Sequence, residues 1–336
     1  MLSRRELLVG GAGMLTATLV HGEAAGTSNR DAAWQVGAPL PINTQELYSC
    51  VHEGRLYVAG GIAARLGVPY FTSACFVYDP GADTWQALPD LPEARHHAAL
   101  VSTGSRVLMV GGFHGGYTSI WRMRDTVHEL GDSGWISVSQ LPQPQAEGVL
   151  ACHTSGIVHL ATGQSPRGSA NSDRRDHGEV AHHWRWDGRG QWQAAAPIPT
   201  PRNSATGGWL GDQLLVTGGR TGAGNLAVTE IYDLKEDRWR EAAPLPLPQA
   251  GTASVVVDDG LILFGGEIFR PEAKVFANVW RYRMSRDRWE PLADMPTPRH
   301  GIGAGLIGNR AYVIGGATEP GGSGTSNLNE VLHLGG

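Results

Sequence analysis

The sequence predicts an all-β fold built from six repeated units, and three observations carry that prediction. The 336-residue chain holds 47 glycines and 11 tryptophans, while only 18% of it is charged. Glycine costs about 1 kcal/mol at an interior helical position, so this composition suits short strands joined by tight turns. The 41% hydrophobic share supplies a core and separates the chain from low-complexity segments. The second observation is a run of Gly-Gly pairs at Gly60-Gly61, Gly111-Gly112, Gly218-Gly219, Gly265-Gly266 and Gly315-Gly316, with a degenerate copy at Gly163-Gln164. Their spacings are 51, 52, 55, 47 and 50 residues. The third is a matching series of tryptophans, Trp34, Trp85, Trp135, Trp192, Trp239 and Trp289, spaced by 51, 50, 57, 47 and 50. Two independent markers with one period define a repeat.

Taken in chain order, the first segment stands apart. Ser3-Arg4-Arg5-Glu6-Leu7-Leu8 precedes a mild apolar run from Val9 to Val20 and the small residues Gly22, Ala24, Ala25 and Gly26. A charged start, a short apolar stretch and a small-residue cleavage region describe a secretory signal. Its paired arginines resemble the twin-arginine export motif. Residues 1–26 are therefore expected to be a signal peptide and 27–336 a single domain, periplasmic or secreted. The apolar run is too short for a membrane span, so no membrane contact is expected after cleavage.

Each later unit begins with apolar strand runs such as Leu56-Tyr57-Val58-Ala59 and Leu261-Ile262-Leu263-Phe264, which end at a glycine pair. An aromatic-acidic pair follows, as in Tyr78-Asp79 and Tyr232-Asp233, then the tryptophan. The three cysteines, Cys50, Cys75 and Cys152, sit among strand residues at wide spacing. They are expected to be buried free thiols rather than a disulfide framework. The last unit ends at Gly336 with no tryptophan after Asn329-Glu330-Val331-Leu332-His333-Leu334. Trp34 precedes the first unit instead, so the N-terminal strand is expected to pair with this last one and remove a free sheet edge.

This pattern of Gly-Gly, aromatic, tryptophan and Leu-Pro-x-Pro-Arg-like stretch resembles the kelch repeat over residues 34–336. The resemblance implies a six-bladed β-propeller closed by an N-terminal strand that completes the last blade. It also implies binding at one mouth of the central channel, where kelch proteins of several kinds hold ligands or partners.

Reading 16 residues before each pair gives Thr44, Arg95, Glu147, Arg202, Gln249 and Arg299. The next column gives Gln45, His96, Gly148, Asn203, Ala250 and His300. The loops after the pairs add Arg220 and Glu267, with Arg65, Tyr70, His114, Tyr117, Asn171, Arg270 and Glu319. Arg95, His96, Glu147, Arg202, Asn203, Arg220, Glu267, Arg299 and His300 are the expected ligand-binding set, since variable loops on a rigid scaffold carry binding. The arginines also admit a structural role, holding neighbouring loops.

Net charge −5 with no basic run argues against nucleic acid. No metal or cofactor is expected. His96-His97 and His182-His183 are adjacent pairs whose side chains diverge on a strand, and Asp173, Asp176, His177, Glu179 and His182 match no ligand spacing. Hydrolase, zincin and nucleotide-loop motifs are missing. The copper galactose oxidases, also kelch propellers, need a Tyr-His pair that this chain lacks. The expected function is binding of a small-molecule anion or protein partner at the mouth. An isomerase or epimerase acting on a sugar acid, like the six-bladed sialic acid mutarotase, is the alternative, with Glu147 or Glu267 as acid/base and Arg202 or Arg299 on the carboxylate. A metal-dependent oxidoreductase is the third reading.

Overall fold

The computed structural model describes residues 34–114 and 119–335, so the segment read as an export signal, and Tyr117, lie outside the described residues. Among those residues the structure is all-β apart from two short 3-10 turns. None of their helices is long and apolar enough to cross a membrane.

Six four-stranded antiparallel sheets follow one another along the chain. In the first, the order is Tyr48–His52, Arg55–Ala59, Cys75–Asp79 and Thr84–Leu88, each strand beside the next. The first strands of successive sheets, Tyr48–His52, Ala99–Ser102, Val149–Cys152, Thr206–Leu210, Ala253–Val257 and Gly303–Ile307, lie side by side, and the last of them also lies beside the first. In the sixth sheet the outermost strand is Trp34–Val36, with Trp34 opposite Leu332 on Asn329–His333.

Apolar residues on both faces of the second strands make each sheet depend on its neighbours. Val107–Val110 and Gly260–Phe264 are buried along their whole length. Six core clusters result, each shared by two adjacent sheets. One of them joins Leu56 and Tyr78 of the first sheet to Tyr312 and Ile314 of the sixth. No sheet covers its own faces alone, which is the physical meaning of a repeat array.

The tryptophans fix the spacing between sheets. Trp85, Trp135, Trp239 and Trp289 each donate an indole N–H to a carbonyl that follows the preceding sheet, at Ala38, Pro89, Ala196 and Ala243, over 2.8–3.1 Å. Trp34 does the same to Ala293 at 3.3 Å. Trp192 departs from the pattern and stacks on Trp186 at 5.6 Å instead. Beside them, a turn aspartate five residues after a core tyrosine takes the tyrosine hydroxyl and a backbone N–H from the previous unit. Asp237 accepts from Tyr232 at 2.7 Å and from Ala196 at 2.9 Å.

The glycine pairs stand where backbones cross. Gly218 and Gly219 have φ of 65° and 92°, and a Cβ on either would lie 2.7 Å from a carbonyl oxygen, Gln249 or Asn203. In the third unit the equivalent pair is Thr162-Gly163 rather than Gly163-Gln164. Gly163 donates to Arg202 O at 2.8 Å as Gly219 donates to Gln249 O at 2.8 Å. Cys50 and Cys75 are buried and Cys152 half-buried, all three as free thiols.

Candidate functional site

The loop entering each sheet contains one residue in the left-handed region: Glu46, His97, Glu147, Ser204, Gly251 and Gly301, with φ between 52° and 66°. Their backbones hand hydrogen bonds from unit to unit. His97 N–H donates to Glu46 O, Glu46 to Gly301, Gly301 to Gly251, Gly251 to Ser204 and Ser204 to Glu147, over 2.8–3.2 Å. Residues other than glycine pay roughly 1–2 kcal/mol for this conformation. Two glutamates and a histidine are nevertheless held there, with their side chains gathered at one mouth.

The gathered groups form a connected network. His97 Nε2 lies 3.0 Å from Glu46 Oε2 and 3.3 Å from Glu147 Oε1. His97 Nδ1 faces His96 Nδ1 at 2.7 Å, and His96 Nε2 faces Ile120 O at 2.6 Å. Ile120 O can only accept, so His96 carries its proton on Nε2 and its Nδ1 accepts from His97. His97 then donates from both nitrogens and is an imidazolium. Its surroundings agree. Burial opposes the charge, but Glu46, by charge and hydrogen bond, and Glu147 raise its pKa above the ordinary value. Burial and the charged His97 push His96 down to about 3. Burial would raise the Glu46 carboxyl, yet His97, His300 and Arg220 outweigh it and hold it well below the usual carboxylate range.

On the other side of Glu46, His300 Nε2 lies 3.7 Å from Glu46 Oε1 and 3.3 Å from Glu267 Oε2. Arg220 binds the other oxygen of Glu267 at 2.6 Å. Burial works against the Arg220 charge, but Glu267, Glu147 and Glu46 raise its pKa.

Above this polar floor opens a recess of about 250 Å³ whose walls are Ile62, Pro69, Phe71, Ile120, Trp121 and Phe269. His96 is stacked between Phe71 at 4.9 Å and Phe113 at 5.2 Å. The Arg174 guanidinium lies 4.9 Å over Trp121, and that of Arg220 lies 5.2 Å over Phe269.

A model of the kelch-repeats domain of KLHDC2, KLHL20 and DRC7 matches residues 179–332, and a kelch-motif model matches residues 49–92. Kelch repeats therefore occupy these two stretches of the chain. Its sheets are accordingly those of a β-propeller. Among similar proteins, Kelch-like protein terF of Aspergillus terreus is 30% identical over 122 residues, covering 33% of this chain and 26% of that protein. Kelch-like protein 34 of Homo sapiens is 36% identical over 110 residues, 31% of this chain and 17% of that protein. Kelch repeat protein C2 of vaccinia virus is 25% identical over 130 residues, 39% and 24%. The chain thus spans about a quarter or less of the length of these relatives.

Within the kelch propeller, the structure places His96, Glu147, Arg220, Glu267 and His300 together at the mouth. Asn203 sits beside them, donating to Glu179 at 3.0 Å and pairing its backbone with Arg220. The three arginines of the first column correct the sequence expectation. Arg95, Arg202 and Arg299 are fully buried inside their own units. Arg202 is paired with Glu230 and donates to Val216 O. Arg299 pairs with Glu330 at 2.8 Å and donates to Gly315 O. Arg95 holds Glu93 and donates to Gly111 O and Thr126. Each arginine is held by a glutamate and by carbonyls of its own unit, so none is free to bind a ligand. The sugar-acid reading loses both arginines it relied on.

Glu147 also changes place. Gln145, not Glu147, fills the arginine position of the third unit, donating to Thr162 O and accepting from Trp184. Glu46 and His97 are the functional residues that the two columns missed; a third column, 14 residues before each pair, contains both. Residues 173–182 do not converge. Asp173 and Asp176 cap a 3-10 turn, His177 meets Asn171, and His182 meets Gln143.

Proposed function

We propose that the six sheets are the six blades of one propeller closed by Trp34–Val36, and that the chain is a binding module taking a protein partner at the mouth above Glu46. The distribution of exposed apolar side chains carries this reading. Of the eight large hydrophobic residues exposed among the described residues, five stand on the mouth loops: Leu66 at 97%, Val68 at 67%, Phe269 at 42%, Tyr70 at 41% and Ile120 at 37%. Of these, Ile120 and Phe269 line an aromatic recess with a polar floor, and the strand that exposes Val68 and Tyr70 turns its alternate residues, Pro69 and Phe71, into the recess wall. An apolar rim around a preformed pocket is the arrangement in which a few anchors supply most of the binding energy. The floor sets Glu46, Glu147 and Glu267 against Arg220 and the His97 imidazolium, so its charge favours a polar or cationic tip over a small anion. The Trp34 indole makes in the sixth sheet the contact that four other tryptophans make in theirs, which supports the closed ring. The Arg4-Arg5 segment supports export to the periplasm or beyond.

Photo-crosslinking in the producing cell tests the reading. A photoreactive side chain at Val68 or Phe269 is expected to capture one discrete protein, whereas the same group at Gln193, on an outer strand, does not. Equal capture at all three positions, or none at the mouth, contradicts it.

A further inference from the structure

We propose that Glu46, Glu267 and His300 form a divalent transition-metal site in the floor of the mouth, with zinc the best chemical match. The donor atoms of these three residues lie within 4.8 Å of one another although the residues come from three different units. His300 Nε2 faces three oxygens at once: Gly321 O at 3.2 Å, Glu267 Oε2 at 3.3 Å and Glu46 Oε1 at 3.7 Å. One imidazole proton cannot serve three acceptors. A tetrahedral ion bound at about 2.0–2.1 Å separates its ligand atoms by roughly 3.4 Å, close to the two spacings between His300 and the carboxylates.

The surroundings of the carboxylates have the form of supporting contacts around a metal. Each glutamate has one oxygen occupied by a cation and the other turned towards His300. His97 holds Glu46 Oε2, leaving Oε1, and Arg220 holds Glu267 Oε1, leaving Oε2. Outer groups that orient ligand oxygens in this way raise affinity and fix geometry. Gly321 N–H also binds Glu267 Oε2 at 2.8 Å.

One further observation indicates that the network is incomplete: buried Glu147 Oε2 beside His97 has no partner. An imidazole ligand selects against calcium and magnesium, which prefer oxygen. Glu46 and Glu267 both line the recess, so the remaining position of the ion would open towards an incoming ligand.

The full chain, stripped with a chelator and dialysed, should bind one equivalent of Zn²⁺ by calorimetry. Co²⁺ should bind in its place with visible absorption typical of a four-coordinate site. Glu46→Gln and His300→Gln should each weaken binding more than about tenfold, while His114→Gln, at a half-exposed histidine of the same mouth, leaves it unchanged. If the variants do not fold, X-ray absorption on the Zn²⁺-loaded wild type decides. One imidazole with oxygen ligands supports the site, and two or more imidazoles or any sulfur overturns it. The proposal also fails if the wild type binds no Zn²⁺, or if binding survives both substitutions in folded protein.

Discussion

Arg202 separates a structural arginine from a binding one. Its guanidinium is fully buried, paired with Glu230, itself 1% exposed, and donates to the carbonyls of Thr200 at 2.7 Å and Val216 at 3.1 Å. Arg202→Met keeps the volume but leaves the Glu230 carboxylate buried with only the Thr200 hydroxyl, at 2.9 Å, still attached. Removing one member of a buried pair costs about 3–5 kcal/mol. For about 300 ordered residues the unfolding entropy is roughly 0.6 kcal/mol per kelvin, so the melting temperature should fall by about 5–8 °C. The double variant Arg202→Met/Glu230→Met removes the stranded charge and should recover at least about 2 kcal/mol of the loss. Thermal melts of the two single variants and the double variant at pH 7 measure both numbers. A single variant that melts within about 1 °C of wild type, or a double variant no better than the sum of the singles, refutes the structural assignment.

Three further outcomes follow from the same packing. His159 Nδ1 lies 2.9 Å from His183 Nε2, while His183 Nδ1 faces Ala196 O at 3.1 Å, so both rings are held neutral. Burial, with His183 nearby, lowers His159 to about 3, and burial lowers His183 to about 4. Stability is then full above about pH 6.5, where the unfolded histidines are neutral too, and declines as pH falls towards those values, by about 2 kcal/mol for each histidine at pH 5. His159→Phe should flatten the fall in melting temperature between pH 7 and 5, and an unchanged slope would count against it. Asp237→Ala loses the Tyr232 hydroxyl and the Ala196 N–H together and should cost about 2 kcal/mol, with Asp237→Asn recovering most of it in the same melts. Trp34→Ala removes the Ala293 contact and the packing on Phe264 at 6.2 Å. It should lower stability by about 2–3 kcal/mol, whereas no change would show that the N-terminal strand does not close the sixth sheet.

The repeat was readable because its markers are enforced by backbone crossings and by wedges between sheets. Gly218 and Gly219 admit no side chain, and the Trp239 indole N–H needs its carbonyl acceptor. The third unit was misaligned for two local reasons. Thr162 stands in a left-handed position usually given to glycine, held by its hydroxyl on Arg202 O at 2.6 Å. The turn between Cys152 and Val158 also contains one residue more than the turn between Ser102 and Val107. Together these shifts moved Glu147 into a column that belongs to Gln145. The mouth was partly legible: His96, His300, Arg220 and Glu267 were found from loop position alone. Whether an arginine turns into its own blade or out to solvent depends on buried acceptors such as Glu230 and Glu330, which spacing does not reveal. Glu46 escaped notice, and His97 was expected to diverge from His96 although their Nδ1 atoms meet at 2.7 Å, because both placements follow from a left-handed backbone ring that strand alternation does not anticipate.

The most direct test of the account is the affinity of the protein captured at the mouth for the propeller and its variants. Val68→Asp places a charge among the exposed apolar side chains, and Phe269→Asp does so while also removing the ring under the Arg220 guanidinium. Both should weaken binding at least about tenfold, the loss of roughly 1.4 kcal/mol, with melting temperatures unchanged, and Gln193→Asp should leave affinity intact. Undiminished affinity in both rim variants, with the fold preserved, would contradict the assignment of function to this mouth.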